Sequence, residues 1–161
     1  MIIVVEGIDR VGKTTLCNKL KEELSIPIFK NERISEERTI ATEMELTNQV
    51  INFFDCVNCN VILDRFFYSE FVYGLVDRGY YNNDILKFDT KLSNSNALFI
   101  LIEPTDIVKS STEHGKDLSL HKVLFDYCFD KSNIKNKIKA NYNNLDDVVA
   151  WVKENVEVYK W

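Results

Sequence analysis

Apolar positions fall into short continuous runs separated by stretches with helical spacing. Ile2 to Val5 is a β-branched run, the pattern of a parallel strand buried on both faces. Leu16, Leu20 and Leu24 then recur at i, i+4, i+8, one face of a helix. Ile26-Pro27-Ile28-Phe29 predicts a short second strand. Between Glu36 and Phe54, the residues Ile40, Met44, Ile51 and Phe54 share a helical face. Asn60 to Asp64 reads as another buried strand that ends in a carboxylate, and aromatic-rich Phe66 to Asp77 as a helix. Ala97 to Ile102 is a third core strand, closed by Glu103-Pro104. Asn136 to Ala140 alternates at Lys137, Ile138 and Lys139, as an edge strand does. Leu145, Val148, Val149 and Val152 mark a final helix, with Asn144 as its expected N-cap and Asp146 and Asp147 in its first turn. Strand-helix alternation of this kind predicts an α/β fold, a three-layer sandwich around a parallel sheet of about five strands with right-handed crossovers.

The turn after the first strand carries the most specific signal. Gly7 is followed by Gly12, Lys13 and Thr14, which is G-x-x-x-x-G-K-[ST], the P-loop. Strand before and helix after are the context it requires. In such a loop, backbone N–H groups from Gly7, Ile8, Asp9, Arg10, Val11, Gly12, Lys13, Thr14 and Thr15 face a phosphate chain. Lys13 reaches the β/γ-phosphates and the Thr14 hydroxyl binds Mg²⁺. Asp64-Arg65 follows the second core strand, at the edge where open α/β sheets place ligands. Asp64 can join the metal shell, and Arg65 can pair with a phosphate in bidentate fashion. Asp9, awkward beside a triphosphate, is placed to accept from a sugar hydroxyl.

Composition narrows the class further. The 161 residues make one domain of ordinary composition, 45% hydrophobic and 28% charged. A net charge of −5 argues against a general nucleic-acid binder. No signal peptide or membrane-spanning run is expected, because Glu6 and Asp9 interrupt the apolar start; the expected location is cytoplasmic. Four cysteines, including Cys56-x-x-Cys59, do not form a disulfide framework, and no second pair completes a zinc site. Residues 105–122, the expected lid, contain no arginine; Arg78 is the last in the chain. Lys109, Lys116 and Lys122 are the fixed positive charges there, and lysine lacks the guanidinium fork. Arg10 is therefore the expected residue to stabilise a transferring γ-phosphoryl, making Arg10, Lys13 and Asp64 the catalytic candidates.

VVEGIDRVGKTT resembles the P-loop of thymidylate kinases, F-E-G-x-D-x-x-G-K-[ST]-T. LDRFFYSEFVYG is similar to their D-R-[YFH] motif, with Ser69 and Tyr73 five and nine positions after Asp64. In that family an arginine at the position of Arg10 accompanies an arginine-free lid. The resemblance implies a single P-loop kinase domain with a short lid, using ATP and Mg²⁺ on a small-molecule nucleotide, with no membrane partner and room for a homodimer. It implies that Arg65, Phe66, Ser69 and Tyr73 contact the acceptor nucleotide, that Asp9 binds its 3′-hydroxyl, and that Tyr73 excludes a 2′-hydroxyl. Phe29 to Arg33 is similar to the family's F-P-x-R segment, which makes Arg33 a second phosphate ligand.

The chain departs from the family between Phe29 and Asp64. Thr42 and Leu46 stand where the family has a base-stacking phenylalanine and a base-reading arginine. Phe53, Phe54 or Tyr68 is left to stack, and Glu43, Asn48 or Gln49 to read the base edge. Thymine follows from the resemblance alone. Other readings stay open. A deoxynucleoside kinase would use Glu6 as its base, but resembles E-R-S where this chain has DRF. Transfer to a modified base or a nucleic-acid end is a third. A non-catalytic nucleotide switch should carry N-K-x-D, which is absent.

Overall fold

The computed structural model describes residues 1–30, 40–57, 59–80, 85–105 and 118–156, the side chains of 40–44, 55, 85 and 86 aside. Five strands are present: β1 (Ile2–Glu6), β2 (Ile28–Lys30), β3 (Val61–Asp64), β4 (Leu98–Glu103) and β5 (Asn136–Asn141). The helices are α1 (Lys13–Leu24), α2 (Ile40–Val57), α3 (Phe67–Asp77), α4 (Ile85–Asn94), α5 (Ser119–Lys131) and α6 (Leu145–Asn155), with a 3₁₀ turn at Tyr142–Asn144. The sheet order is β2-β3-β1-β4-β5 and every pair is parallel. The fold is α/β, as the alternation predicts.

All five residues of β1 are buried, because the strand is central and helices cover both faces. The chain leaves β1 toward β2 on one side and leaves β3 toward β4 on the other. Right-handed crossovers running in opposite directions put their helices on opposite faces, which opens a crevice between the two strand ends. Register aligns those ends, since Val5 pairs with Asp64 and Lys30 also pairs with Asp64. The P-loop and the Asp64-Arg65 turn therefore meet by topology alone.

α1 and α6 share one face, joined by Lys19–Asp146 at 2.5 Å and Lys153–Glu23 at 2.7 Å. The final helix buries Leu145, Val148, Val149 and Val152 as its spacing predicts. Its cap differs from expectation. Asn144 occupies the N-cap position, but its side chain accepts from the backbone N–H of Asn141 at 2.8 Å, holding the 3₁₀ turn rather than α6. The second strand also shifts, starting at Ile28 and running to Lys30.

Helices α4 and α5 are absent from the periodicity analysis, and for α5 the reason is physical. α5 buries His121, Phe125, Cys128 and Phe129 while exposing Leu120, Val123 and Tyr127. Apolar residues on its outer face blur the contrast with the inner one. α4 buries Asp89 beside Phe88 and Leu92, so its core face contains a charge. Of the expected lid, 106–117 lies outside the described residues, and Ser119 to Lys122 forms the first turn of α5. Among the described residues no helix is long and apolar enough to cross a membrane.

Asp89 is fully employed. It accepts from the Tyr68 hydroxyl, the Ser132 hydroxyl at 2.5 Å, the Asn133 N–H at 2.7 Å and the Asn133 side-chain amide at 3.0 Å. A buried carboxylate survives only when its acceptor sites are filled this way. Asp89→Ala should leave those donors unsatisfied and cost about 3 kcal/mol, read as a lower urea midpoint at unchanged slope. A loss below about 0.5 kcal/mol would show the cluster to be dispensable.

Candidate functional site

The site starts where β1 ends. Gly7 has φ 141°, and a Cβ there would meet the Ile102 carbonyl oxygen at 2.3 Å, so only glycine lets the chain turn against β4. The loop ends at Gly12, in the left-handed region at φ 99°, and α1 opens at Lys13. No side chain caps α1 and no acidic residue lies in its first turn. Its N–H groups and the positive end of its dipole are left for an anion.

Lys13 is buried and donates through Nζ to the Ile8 carbonyl. Burial pushes its ammonium down to about 7, Arg65 adds to this, and Asp9, Glu6 and Asp64 oppose it. A polyanion in the loop would supply the missing counter-charge.

Glu6, the last residue of β1, is completely buried. Its Oε1 accepts from the N–H groups of Phe66 at 2.8 Å and Ser69 at 3.1 Å, and its Oε2 from the Ser69 hydroxyl at 2.5 Å. α3 has no cap of its own, because Phe66 stands at its N-cap; Glu6 supplies one from another strand. Burial pushes the Glu6 carboxyl up to about 7, against the hydrogen bond from Ser69 and the charge of Arg65.

Arg65 donates to Asp9, to the Ser69 hydroxyl at 3.2 Å and to the Gly7 carbonyl at 3.4 Å. Its guanidinium lies 5.2 Å from the Tyr73 ring centroid. Arg10 at φ 64° and Arg65 at φ 65° both hold left-handed backbone, as do Ser25 and Asn96 at the ends of α1 and α4. Such conformations are uncommon without glycine and collect at functional sites.

A cleft of about 450 Å³ gathers these groups. Asp9, Arg10, Gly12, Lys13, Thr14 and Thr15 line it from the loop, with Asp64 and Arg65 from the β3 turn and Lys30 and Tyr142 completing it. Thr14 is an exposed residue and Asp64 is only 3% exposed. These are hard oxygen donors that suit Mg²⁺. Among the described residues no cluster of His, Cys, Asp and Glu could hold a metal by itself, so the rest of the shell would come from phosphate and water.

Lys30 and Tyr142 were not singled out from sequence as site residues. The signal for Lys30 was its place at the carboxyl end of β2; Tyr142 has none in the local pattern. A further pair emerges behind Arg65. Among the described residues, two buried side-chain atoms have no hydrogen-bond partner, the Tyr73 hydroxyl and His121 Nδ1. The two rings are 5.0 Å apart, and His121 Nε2 lies 2.9 Å from Asp77. Burial pushes the Tyr73 hydroxyl up to about 12.

Other sequence candidates are placed elsewhere. The Phe66 ring is buried against Phe67, so its backbone rather than its ring serves the site. Tyr68, a stacking candidate, is a core residue 2% exposed and stacked on Phe99 at 4.6 Å. Phe54 lines a separate cavity of about 590 Å³ with Met1, Ile2 and Asn52, at the amino ends of the strands. Phe53 is exposed and packs edge-on against Phe54. Asn48 accepts from Lys91, and Gln49 donates to Glu45 at 3.2 Å along α2. Lys122 is occupied by Asp126 at 2.7 Å. Arg33, Lys109 and Lys116, and the side chains of Thr42 and Glu43, lie outside the described residues. The cysteines Cys17, Cys56, Cys59 and Cys128 are free thiols.

No protein-family model matches the chain, and no curated protein matches it in sequence. Its fold is similar to that of solved structures. YorR protein from Bacillus subtilis, in complex with phosphorylated GDP, has a TM-score of 0.75 at 21% identity, over 98% of this chain and 96% of that one. Deoxyadenosine kinase from M. mycoides, with dCMP and a flexible dCDP bound, has a TM-score of 0.59 at 12% identity, over 96% and 97%. Thymidylate kinase from Candida albicans has 0.55 at 19%, over 97% and 90%. The chain has the P-loop kinase fold. Thymidylate kinase is one neighbour among differently named kinases, so the likeness does not single out its acceptor.

A stability test follows from Glu6. Its folded-state value of about 7 lies above the ordinary 4.5, so its contribution is full below pH 4.5 and lost as the pH rises through 7. From about pH 4 to about pH 8 the protein should lose roughly 3 kcal/mol relative to Glu6→Gln. Parallel stability curves for the two proteins would reject this assignment.

Proposed function

We propose that the protein is an ATP-dependent kinase that passes the γ-phosphoryl to a deoxynucleoside monophosphate, with dTMP as the first candidate acceptor. The observation that carries this reading is the single cleft shared by the P-loop, Asp64 and the Asp9–Arg65 pair. A donor-phosphate cradle and a second anion-binding group face one space, as direct in-line transfer requires. The resemblance of VVEGIDRVGKTT and LDRFFYSEFVYG to thymidylate kinases supports a monophosphate acceptor, and thymine rests on that resemblance alone.

The loop amides and Lys13 hold the triphosphate. As the chain of phosphates enters, Lys13 exchanges the Ile8 carbonyl for phosphate oxygen. Thr14 and Asp64 would hold Mg²⁺, which would supply positive charge to the donor phosphates. Arg10 places a guanidinium on the transferring group. Arg65 turns from Asp9 toward the acceptor phosphate, and Asp9 is freed to accept from the sugar. The acceptor phosphate is already ionised, so no general base is needed. The Tyr73 hydroxyl, unpaired and next to Arg65, is available to the acceptor sugar.

The nucleoside-kinase reading is weaker on this geometry. Its base would be Glu6, whose oxygens already accept three hydrogen bonds beneath α3.

A coupled assay over the four deoxynucleoside monophosphates, their ribose forms and free nucleosides tests the acceptor class. Turnover confined to free nucleosides would reject the proposal. Arg65→Ala should raise KM for the monophosphate by about tenfold or more with little change for ATP; equal weakening of both substrates would remove Arg65 from the acceptor site. Arg10→Ala should bind ATP normally and lose kcat by on the order of 10³. Unchanged turnover would mean that another group stabilises the transfer.

A further inference from the structure

The two buried polar atoms left unpaired among the described residues, the Tyr73 hydroxyl and His121 Nδ1, belong to neighbouring rings. A buried group without a partner calls for an explanation. Ser69, Tyr73 and Asp77 follow one another at four-residue spacing along α3, so they share one face of the helix. Ser69 accepts from Arg65 at 3.2 Å. The Tyr73 ring has the Arg65 guanidinium 5.2 Å from its centroid and the His121 ring 5.0 Å from it. His121, fully buried in the first turn of α5, meets Asp77 through Nε2 at 2.9 Å. A line of polar groups therefore runs from the cleft, at Arg65, through Tyr73 to the junction of α3 and α5.

The chemistry of the two orphans is complementary. Nε2 faces a carboxylate, which only accepts, so it carries the ring proton; Nδ1 of the neutral imidazole is then an acceptor without a donor. Tyr73 is the converse. Burial pushes its hydroxyl up to about 12, against the charge of Arg65, so it keeps a proton that has no acceptor. Resting on the reading of Arg65 as a ligand of the acceptor phosphate, we propose that His121 is a positioning residue for that phosphate: the Tyr73 O–H donates to His121 Nδ1, and the Tyr73 oxygen offers a lone pair to Arg65. A guanidinium has donors only, so it cannot use a hydroxyl whose proton points at it. When Arg65 gives up Asp9 for the phosphate, Tyr73 accepts one guanidinium N–H and keeps the fork aligned. Asp77 fixes the ring that makes this possible.

Steady-state kinetics of the full chain with ATP and each of the four deoxynucleoside monophosphates test this. His121→Gln keeps a donor for Asp77 but has no acceptor in place of Nδ1. It should raise KM for the monophosphate about fivefold, the worth of one hydrogen bond, with little change in kcat or in KM for ATP. His121→Asn places an oxygen where Nδ1 stands and gives up Asp77; it should keep KM near the wild-type value. A histidine that merely ties α5 to α3 would give the opposite order. Tyr73→Phe should match His121→Gln, and the double variant should lose no more than either alone. In an Arg65→Ala background, His121→Gln should change nothing further. Unchanged KM in His121→Gln would overturn the proposal, as would an equal rise for ATP or full additivity with Tyr73→Phe or Arg65→Ala. So would a folded His121→Asn more impaired than His121→Gln; if His121→Asn does not fold, the double-variant cycle decides. Wild-type turnover confined to free nucleosides would instead overturn the acceptor-phosphate reading beneath it.

Discussion

One buried carboxylate ties the two halves of the site together. Glu6 closes β1, and its oxygens accept from the first turn of α3, some sixty residues later in the chain. α3 begins without a cap because Phe66 and Phe67 are needed in the core. The unsatisfied N–H groups and the positive end of that helix are met by Glu6 instead. Ser69 completes the link, since its hydroxyl donates to Glu6 and accepts from Arg65. Arg65 is thereby held in left-handed backbone against Gly7 and Asp9 of the loop. Disturbing Glu6 would disturb the spacing between the P-loop and the Asp64-Arg65 turn.

The distribution of positive charge follows from the same economy. The lysines near the carboxyl edge of β4 and β5 are occupied, because Lys122 and Lys139 both pair with Asp126. Lysine used in this way supports packing between α5 and the sheet edge. The guanidinium groups at the cleft sit on two turns of left-handed backbone, at Arg10 and Arg65, and Arg65 is itself paired with Asp9. A rigid fork on a constrained backbone is well suited to gripping two oxygens of one phosphate. Lys13, buried and pushed down to about 7, completes the set as a charge that strengthens when an anion arrives.

Low sequence identity to the solved neighbours, 12% to 21%, is compatible with a shared fold because few positions impose it. A central β-branched strand, a glycine turn and a strand order that sends successive connections to opposite faces are enough to create the crevice. Residues around the cleft can then vary without cost to the sheet. Tyr142 illustrates this freedom, since it projects from a turn whose shape is set by Asn141 and Asn144.

The local pattern of the chain determined the sheet, its buried strands and the phosphate loop. Each depends on near neighbours: β-branched runs bury on both faces, and glycines at Gly7 and Gly12 allow the turn. That Arg10, Lys13, Asp64 and Arg65 line one cleft was legible because they follow the ends of those strands. Tertiary structure decided what depends on distant partners. It sent Tyr68 into the core against Phe99 and Phe54 to the opposite edge of the sheet, since an aromatic residue on a helix has no sequence mark of the face it will bury. It turned Asn144 away from α6, left His121 Nδ1 and the Tyr73 hydroxyl unpaired, and laid Tyr142 across Gly12 from more than a hundred residues away. Such contacts are made by packing between elements, and no periodicity within one element encodes them.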